Sequence, residues 1–360
     1  MKPKLAIDLS RITDNKTGIE YYAYELAKAL LDLGADLTLI SNKSRYLDEF
    51  NSAKKVIIES EKPNLKWIRN TAKYLNRKDF CYFISPSYLT FSLFHKNTVQ
   101  IVHDLAPVRF PQYWSFKART SFKIQLHLAS RRAKYFCTNS EYTRDDLIKY
   151  LPGVKNKTFA IGTGLNKWAY AQKDEVEMVR VKKKFNLPDN FILSVSTLQP
   201  RKNYENMLRA FAIAKEKNQR LGYVIAGKKG WKYESIFQTV SDLKLEKSVL
   251  FLGYVPEEDI AALYDLSKAV LYCSTFEGFG LPAIEAYARK KCVVLSNIPL
   301  FKGIMKENGI YVDPYDPEDI AAGINQAMNT ELKFDQEFID EFTWEKVGKN
   351  LLGVISKISL

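Results

Sequence analysis

Three observations in this 360-residue sequence predict an α/β fold built from two parallel sheets in tandem. Short apolar runs of strand length alternate with longer amphipathic segments, the rhythm of strand–helix–strand units rather than of a bundle or a sandwich. That rhythm lapses near residues 162–175 (GTGLNKWAYAQKDE) and then restarts. The chain is also long for a single core, so two domains of ordinary size are expected. The resulting division is a Rossmann-like domain over 1–165, a second over 166–344, and a closing amphipathic helix over 345–360 whose docking the pattern leaves open.

Each element follows from its pattern. In the first half KLAIDLS reads as a strand, TGIEYYAYELAKALLDLG as a helix closed by Gly34, and ADLTLIS as the next strand. FCYFIS, TVQIVHD and KYFCTNS continue the strands, and EYTRDDLIKYL follows as a helix. The second half opens with NFILSVS, the helix NYENMLRAFAIAKEK, and the strands GYVIAG and SVLFLGY. The helix EEDIAALYDLS, the strand AVLYCS, a hinged loop with its helix, and the strands CVVLS and GIYVDP complete it.

Ligands of open α/β sheets bind outside the carboxyl ends of the strands, so the polar residues that follow each strand matter most. They are Asp8 to Thr17 with Gly18, His103 with Asp104, Gln199 to Asn203, Gly227 to Gly230, and Glu277 to Gly280. Two such edges facing each other would line one cleft with all five clusters. Gly18 opens a helix whose first amides suit a phosphate, although the stretch is not GxGxxG, and a plain Thr17 cap with a glycine turn fits equally. His103, at a strand end, is placed to donate to a substrate or to act as acid or base. Arg201 and Lys202 stand between a strand and a helix, where Arg grips phosphate oxygens bidentately and Lys adds a point charge. Lys228 and Lys229 repeat the idea more weakly.

The stretch CSTFEGFGLPAIEAYARKK sets Glu277 and Glu285 on either side of a hinge. Gly278 and Gly280 permit backbone turns closed to other residues, and Pro282 suits a first helical turn, so a helix should begin near Leu281. The loop amides and the positive end of the helix form an anion site between the two carboxylates. A nucleotide sugar, with phosphates in the middle and hydroxyls at each end, fits that arrangement. A dipole-complementing Glu285 with a solvated Glu277 would fit the hinge too.

Charge and cysteine usage narrow the class. The net charge is +13, and residues 1–165 hold 27 Lys and Arg against 15 Asp and Glu, whereas 166–360 hold 27 against 26. A basic first half attracts nucleic acid, anionic lipid or an anionic substrate, which charge alone does not separate from a merely solubilising surface. Cys81, Cys137, Cys273 and Cys292 show no CxxC or Cys/His spacing, which argues against a disulfide framework or a zinc site. With only His95, His103 and His127, a histidine metal centre is not expected. The early charges of MKPKLAIDLSRITD do not suit a signal peptide, and no uncharged apolar run reaches membrane-spanning length, so a soluble cytoplasmic protein is expected.

Read in order, GIEYYAYELAKAL, HDLAPVRFP, NSEYTRDDL, PRKN, AGKKGW, FLGYV, STFEGFGLPAIEA, VDPYDPEDIAAGI and FTWEK resemble the retaining glycosyltransferases of family 4, group 1. The likeness covers nearly the whole chain and is greatest to the mannosyltransferase-B-like subgroup of bacterial polysaccharide synthesis. It implies GT-B architecture, two Rossmann-like domains facing across a cleft, with the acceptor on the first and a nucleotide-diphospho-sugar mainly on the second. It implies catalytic roles for Glu277, His103, Arg201 and Lys202: Glu277 and His103 touch the sugar, and the basic pair neutralises the departing diphosphate. It implies donor contacts from Gly18, Ser196, Arg201, Lys202, Gly227, Tyr254, Phe279, Gly280, Leu281 and Glu285, with Glu285 on the ribose hydroxyls and residues 279–281 offering amides to phosphate. Neither a metal nor a cofactor is implied. Departures from the usual pattern are Ser196, Lys290 and Cys292, where glycine, glycine and proline are common, and Gly303 in place of a glutamate.

The expected activity is therefore transfer of a hexose, with mannose the leading candidate, from a GDP- or UDP-linked donor to a glycan or lipid-linked acceptor. The basic half would then dock peripherally on the anionic cytoplasmic face of a membrane. The alternatives are a nucleotide-sugar epimerase of the same fold, and a nucleic-acid-binding protein using the basic half. The latter lacks any helix-turn-helix, zinc or RNA-stacking signature. A glycosidase, which also uses paired carboxylates, has no use for the basic clamp.

Overall fold

The computed structural model describes residues 2–13, 18–51, 53–87 and 89–356, so the expected Thr17 cap and residues 357–360 of the closing helix lie outside the described residues. The chain divides into two compact units, Met1–Gly164 with Glu341–Leu360, and Leu165–Asp340.

The first unit is a seven-stranded sheet made of β1 (Lys4–Asp8), β2 (Asp36–Ser41), β3 (Lys54–Ile57), β4 (Tyr82–Ser85), β5 (Thr98–Val102), β6 (Tyr135–Thr138) and β7 (Thr158–Ala160). Their spatial order is β3-β2-β1-β4-β5-β6-β7, and every described pairing is parallel. Such a sheet is covered on both faces, which is why β5 (TVQIV) is buried at every position. The edge strand β3 is the exception, with Lys54 and Lys55 exposed on a rim that has no further strand to pair.

The helix Ile19–Asp32 covers β1 and β2 and shares a core with the helix Trp344–Ser356, through Tyr22, Leu26 and Leu30 on one and Val347, Leu351 and Ile355 on the other. Gly348 lets the two helices close up, because a Cβ there would lie 2.8 Å from a Leu33 methyl. The returning segment begins at Glu341, which pairs with Lys346 at 2.5 Å.

The second unit repeats the plan with six parallel strands, β8 (Phe191–Val195), β9 (Gly222–Ala226), β10 (Val249–Gly253), β11 (Ala269–Tyr272), β12 (Cys292–Ser296) and β13 (Ile310–Val312). Their order is β10-β9-β8-β11-β12-β13. In both sheets the winding reverses beside the first strand, between β1 and β4 and between β8 and β11. The carboxyl ends of those strands therefore flank a topological switch point, where α/β sheets hold their ligands. The core of this unit joins Ile192, Tyr223 and Leu271 of the sheet to Tyr204, Leu208 and Phe211 of the helix Tyr204–Lys217 and to Ile320 and Ile324 of the helix Pro317–Asn329.

Candidate active site

The switch point of the second sheet brings together the residues that follow β8 and β11. After β8 the chain makes a single tight turn, Pro200–Lys202, and Asn203 then takes a left-handed conformation (φ 63°) at the start of the helix Tyr204–Lys217. Asparagine tolerates that region better than most residues. Its side-chain amide donates to the carbonyls of Cys273, at 3.0 Å, and Pro314, at 2.6 Å. The amide of Thr275 donates to the Arg201 carbonyl at 2.9 Å, so the loops after β8 and β11 are stitched together.

The stitch sets Glu277 against both cations. Lys202 Nζ donates to Glu277 Oε1 at 2.5 Å and Arg201 donates to Oε2, while the Tyr272 hydroxyl, at the end of β11, donates to Oε1 at 2.9 Å. Lys202 also donates to the Tyr272 hydroxyl at 3.0 Å. Lys202 and Glu277 are buried, and Arg201 is partly so. Burial alone would raise the Glu277 pKa, but the charges of Arg201 and Lys202 override it and hold the carboxyl at about 2. Glu277 is thus a permanent carboxylate at neutral pH, buried and paired rather than solvated, and it has no proton to give.

The loop then rises over an aromatic floor. Gly280 has φ +95° and caps the helix Leu281–Ala288, with Pro282 in the first turn as the sequence predicts. A Cβ at Gly280 would lie 2.5 Å from the ring of Phe301, which in turn packs edge-on against Tyr272 at 5.6 Å. Phe279 is buried beside it, and Leu281 begins the helix.

Glu285 lies one turn further along and has its own partner. The Tyr264 hydroxyl donates to Glu285 Oε2 at 3.0 Å, and the Tyr264 ring is stacked on Trp168 at 5.7 Å. Burial pushes the Glu285 carboxyl up to about 7, opposed by the Tyr264 hydrogen bond and aided by the charge of Glu257. The two glutamates therefore have opposite electrostatic characters, a difference their spacing did not reveal.

Gly227 and Ser196 serve the frame of this region. A Cβ at Gly227 would stand 1.8 Å from the Ser196 carbonyl oxygen, so the ends of β8 and β9 meet only because this residue is glycine. The Ser196 hydroxyl lies 2.7 Å from the hydroxyl of Tyr204. At Lys228 and Lys229, where the sequence weakly suggests a second clamp, the ammonium groups sit over aromatic rings, Lys228 at 4.4 Å from Tyr254 and Lys229 at 5.0 Å from Phe237. Tyr254, partly exposed after β10, carries Lys228 on its ring.

Gly18 and His103 belong to the first unit. Gly18, with φ 44°, starts the helix Ile19–Asp32, whose Tyr22 ring meets the His103 ring edge-on at 4.9 Å. His103 Nε2 lies 3.0 Å from the Pro86 carbonyl, which can only accept, so the proton is on Nε2. Burial lowers the His103 pKa and favours the neutral ring. With its Nε2 proton engaged by Pro86, the neutral His103 ring offers Nδ1 as an acceptor.

Sequence reasoning placed Asn203 in the Gln199–Asn203 cluster without giving it a role of its own, and missed Tyr264 and Tyr272 as builders of the site. Asn203 had a readable signal, an asparagine between a strand and a helix start. The two tyrosines gave none, since their hydroxyls become informative only once their partners are known. Among the described residues, no group of three His, Cys, Asp or Glu side chains is placed to hold a metal ion. No described helix is long and apolar enough to cross a membrane.

The second unit matches the glycosyl transferases group 1 pattern over residues 175–342, and the first matches the glycosyltransferase family 4 pattern over 16–167. The chain belongs to the group 1 glycosyltransferases of family 4. Its fold is the GT-B fold, as in the crystal structure of HepE from Anabaena in complex with UDP and glucose, which superposes with a TM-score of 0.73 at 18% identity over 99% of this chain and 95% of that one. Among curated relatives, the O-antigen chain mannosyltransferase B of Escherichia coli is 29% identical over 70% of this chain and 66% of its own length. The O-antigen chain mannosyltransferase RfbU of Salmonella typhimurium strain LT2 is 25% identical over 89% of this chain and 90% of its own.

Proposed function

We propose that this glycosyltransferase moves a hexose, mannose, from a GDP- or UDP-linked donor to a glycan or lipid-linked acceptor in the synthesis of a cell-surface polysaccharide, with retention at the anomeric carbon and without a metal. The observation that carries the reading is the triad of partly buried Arg201 with buried Lys202 and Glu277 at the switch point of the second sheet. Two cations beside the start of a helix suit a leaving diphosphate, whose developing charge is the main cost of the reaction. Glu277 aligns those cations and, being ionised, faces a sugar as a hydrogen-bond acceptor. Glu285 would take the ribose hydroxyls, the amides of residues 279–281 the phosphates, and His103 a sugar hydroxyl through Nδ1. The mannosyltransferase names of the relatives support mannose and a polysaccharide product.

The test is incubation with GDP-mannose, or with UDP-glucose as comparison, with and without a short mannose oligosaccharide. Release of nucleoside diphosphate only with the acceptor, and a new linkage whose anomeric proton signal keeps the donor's configuration, is the predicted result. Conversion of the donor sugar without nucleotide release would instead indicate an epimerase.

A further inference from the structure

We propose that Trp168 is a positioning residue for nucleotide binding: its ring sets Tyr264, and through the Tyr264 hydroxyl it sets the Glu285 carboxyl that reads the ribose. Glu285 does not fix its own direction. Among the described residues, the hydrogen bond its side chain accepts comes from the Tyr264 hydroxyl, at 3.0 Å. That hydroxyl has a single proton to donate and also lies 3.5 Å from the carbonyl of Pro282, in the first turn of the helix that carries Glu285. A small swing of the Tyr264 ring would therefore trade one acceptor for the other. The Trp168 ring stands against that swing, stacked on Tyr264 with the centroids 5.7 Å apart and the planes 17° from parallel. The indole nitrogen is buried and has no hydrogen-bond partner among the described residues, so the ring supplies a stacking face and not a hydrogen bond.

Trp168 is itself fixed by a buried cation. It lies in the short helix Lys167–Tyr170, near the start of the second unit. Arg289, one helical turn past Glu285, donates from Nη1 to the Trp168 carbonyl at 3.1 Å and to the Ala171 carbonyl. The other edge of the guanidinium grips Asp265, the neighbour of Tyr264 in the chain, with Nε donating to Oδ1 at 3.0 Å and Nη2 to Oδ2. Arg289 and Asp265 are both buried. One planar fork thus ties together the three pieces of chain that carry Trp168, Tyr264 and Glu285, a geometry that a lysine ammonium does not reproduce. The proposal rests on the reading of Glu285 as the ribose contact, and its test separates the two.

Calorimetric titration of the full chain with GDP and UDP, and with their 2′-deoxy forms, provides that test. With Glu285 directed at the ribose, the better-bound nucleotide should exceed its 2′-deoxy form by roughly tenfold in the wild type. Trp168→Met, which fills the space without a stacking face, should cut that preference to about twofold, by weakening the ribonucleotide about fivefold and leaving the 2′-deoxy affinity unchanged. Trp168→Phe should restore the preference. In a Tyr264→Phe background Trp168→Met should remove no further preference, because the ring acts through the hydroxyl. Equal weakening of both nucleotides by Trp168→Met would show a merely structural role and overturn the proposal. So would additive losses in the double variant, or loss of the preference in Trp168→Phe at the wild-type unfolding midpoint. A wild type with no preference for the ribonucleotide would overturn the ribose contact and the proposal together. A wild-type preference that Trp168→Met retains in full would overturn the proposal alone and leave the proposed function standing.

Discussion

Lys202 Nζ and Glu277 Oε1 lie 2.5 Å apart although 75 residues separate them in sequence. The contact exists because β8 and β11 are neighbours at the reversal of the sheet, so the turn after one strand meets the loop after the other. Removing the charge at Lys202 with Lys202→Met should lower kcat for sugar transfer by roughly 10²–10³-fold, the usual cost of one preorganised charge-stabilising group. Glu277→Gln should lose as much while leaving the fold intact. Near-normal transfer by either variant, measured as nucleotide release, would remove that residue from the chemistry.

The same contact makes a prediction about acid. The Glu277 carboxyl is held at about 2 in the folded protein, against an ordinary 4.5. Its pairing therefore stabilises the fold fully above pH 4.5, and that contribution is lost as pH falls from 4.5 toward 2, amounting to roughly 3 kcal/mol. Glu277→Gln should be less stable at neutral pH and should lose less on acidification over this window. Chemical denaturation at pH 7, 4 and 3 checks it, and parallel losses in the two proteins would contradict it.

Glu285 works with the opposite sign. Its carboxyl is raised to about 7, so the folded state takes up more protons than the unfolded between pH 4.5 and 7, and this group reduces stability as pH rises through that interval. A protonated carboxyl is also a poorer acceptor for two ribose hydroxyls, so donor affinity should rise with pH up to and just past 7. Tyr264→Phe removes the hydroxyl that favours the ionised form, and should move this midpoint upward and weaken donor binding by about fivefold. Glu285→Gln should make the affinity profile flat. A donor-binding profile between pH 5.5 and 8.5 that is identical in wild type and Glu285→Gln would count against the ribose contact.

Gly280 is held by both its backbone and its neighbour. With φ +95° and a Phe301 ring carbon 2.5 Å from the position of a Cβ, Gly280→Ala is strained twice. We expect destabilisation of about 2 kcal/mol and a shifted loop that weakens donor binding. Adding Phe301→Leu should recover the steric part and leave the conformational part. Complete recovery in the double variant would show that φ is of no consequence there.

Much of this arrangement was legible in the sequence where local chemistry dictates it. The strands of both sheets were readable as buried apolar runs, and the hinge at Gly278–Pro282 carried its own turn and helix-start signals. The edge strands β3 and β7 were missed: lysines break the apolar run of β3, and β7 is only three residues long. The helix Phe116–Arg132 escaped because Phe116, Ile124 and Leu128 point outward while Phe122, Leu126 and Ala129 point inward, which blurs the 3.6-residue period. Within the site, residue types named the cations and carboxylates, but only the strand order shows that Arg201 and Lys202 share Glu277. The role of Tyr264 depends on a helix 21 residues from Glu285, a pairing no local pattern encodes.

The central claim, that Arg201 and Lys202 held by Glu277 grip the diphosphate of the donor, is tested most directly by calorimetric binding of GDP and UDP against their monophosphates in the presence of EDTA. The account predicts that the better-bound diphosphate exceeds its monophosphate by at least roughly tenfold in the wild type, and that Lys202→Met erases most of this difference while the monophosphate affinity stays put. Equal affinity for diphosphate and monophosphate, or a preference that survives Lys202→Met unchanged, would contradict it.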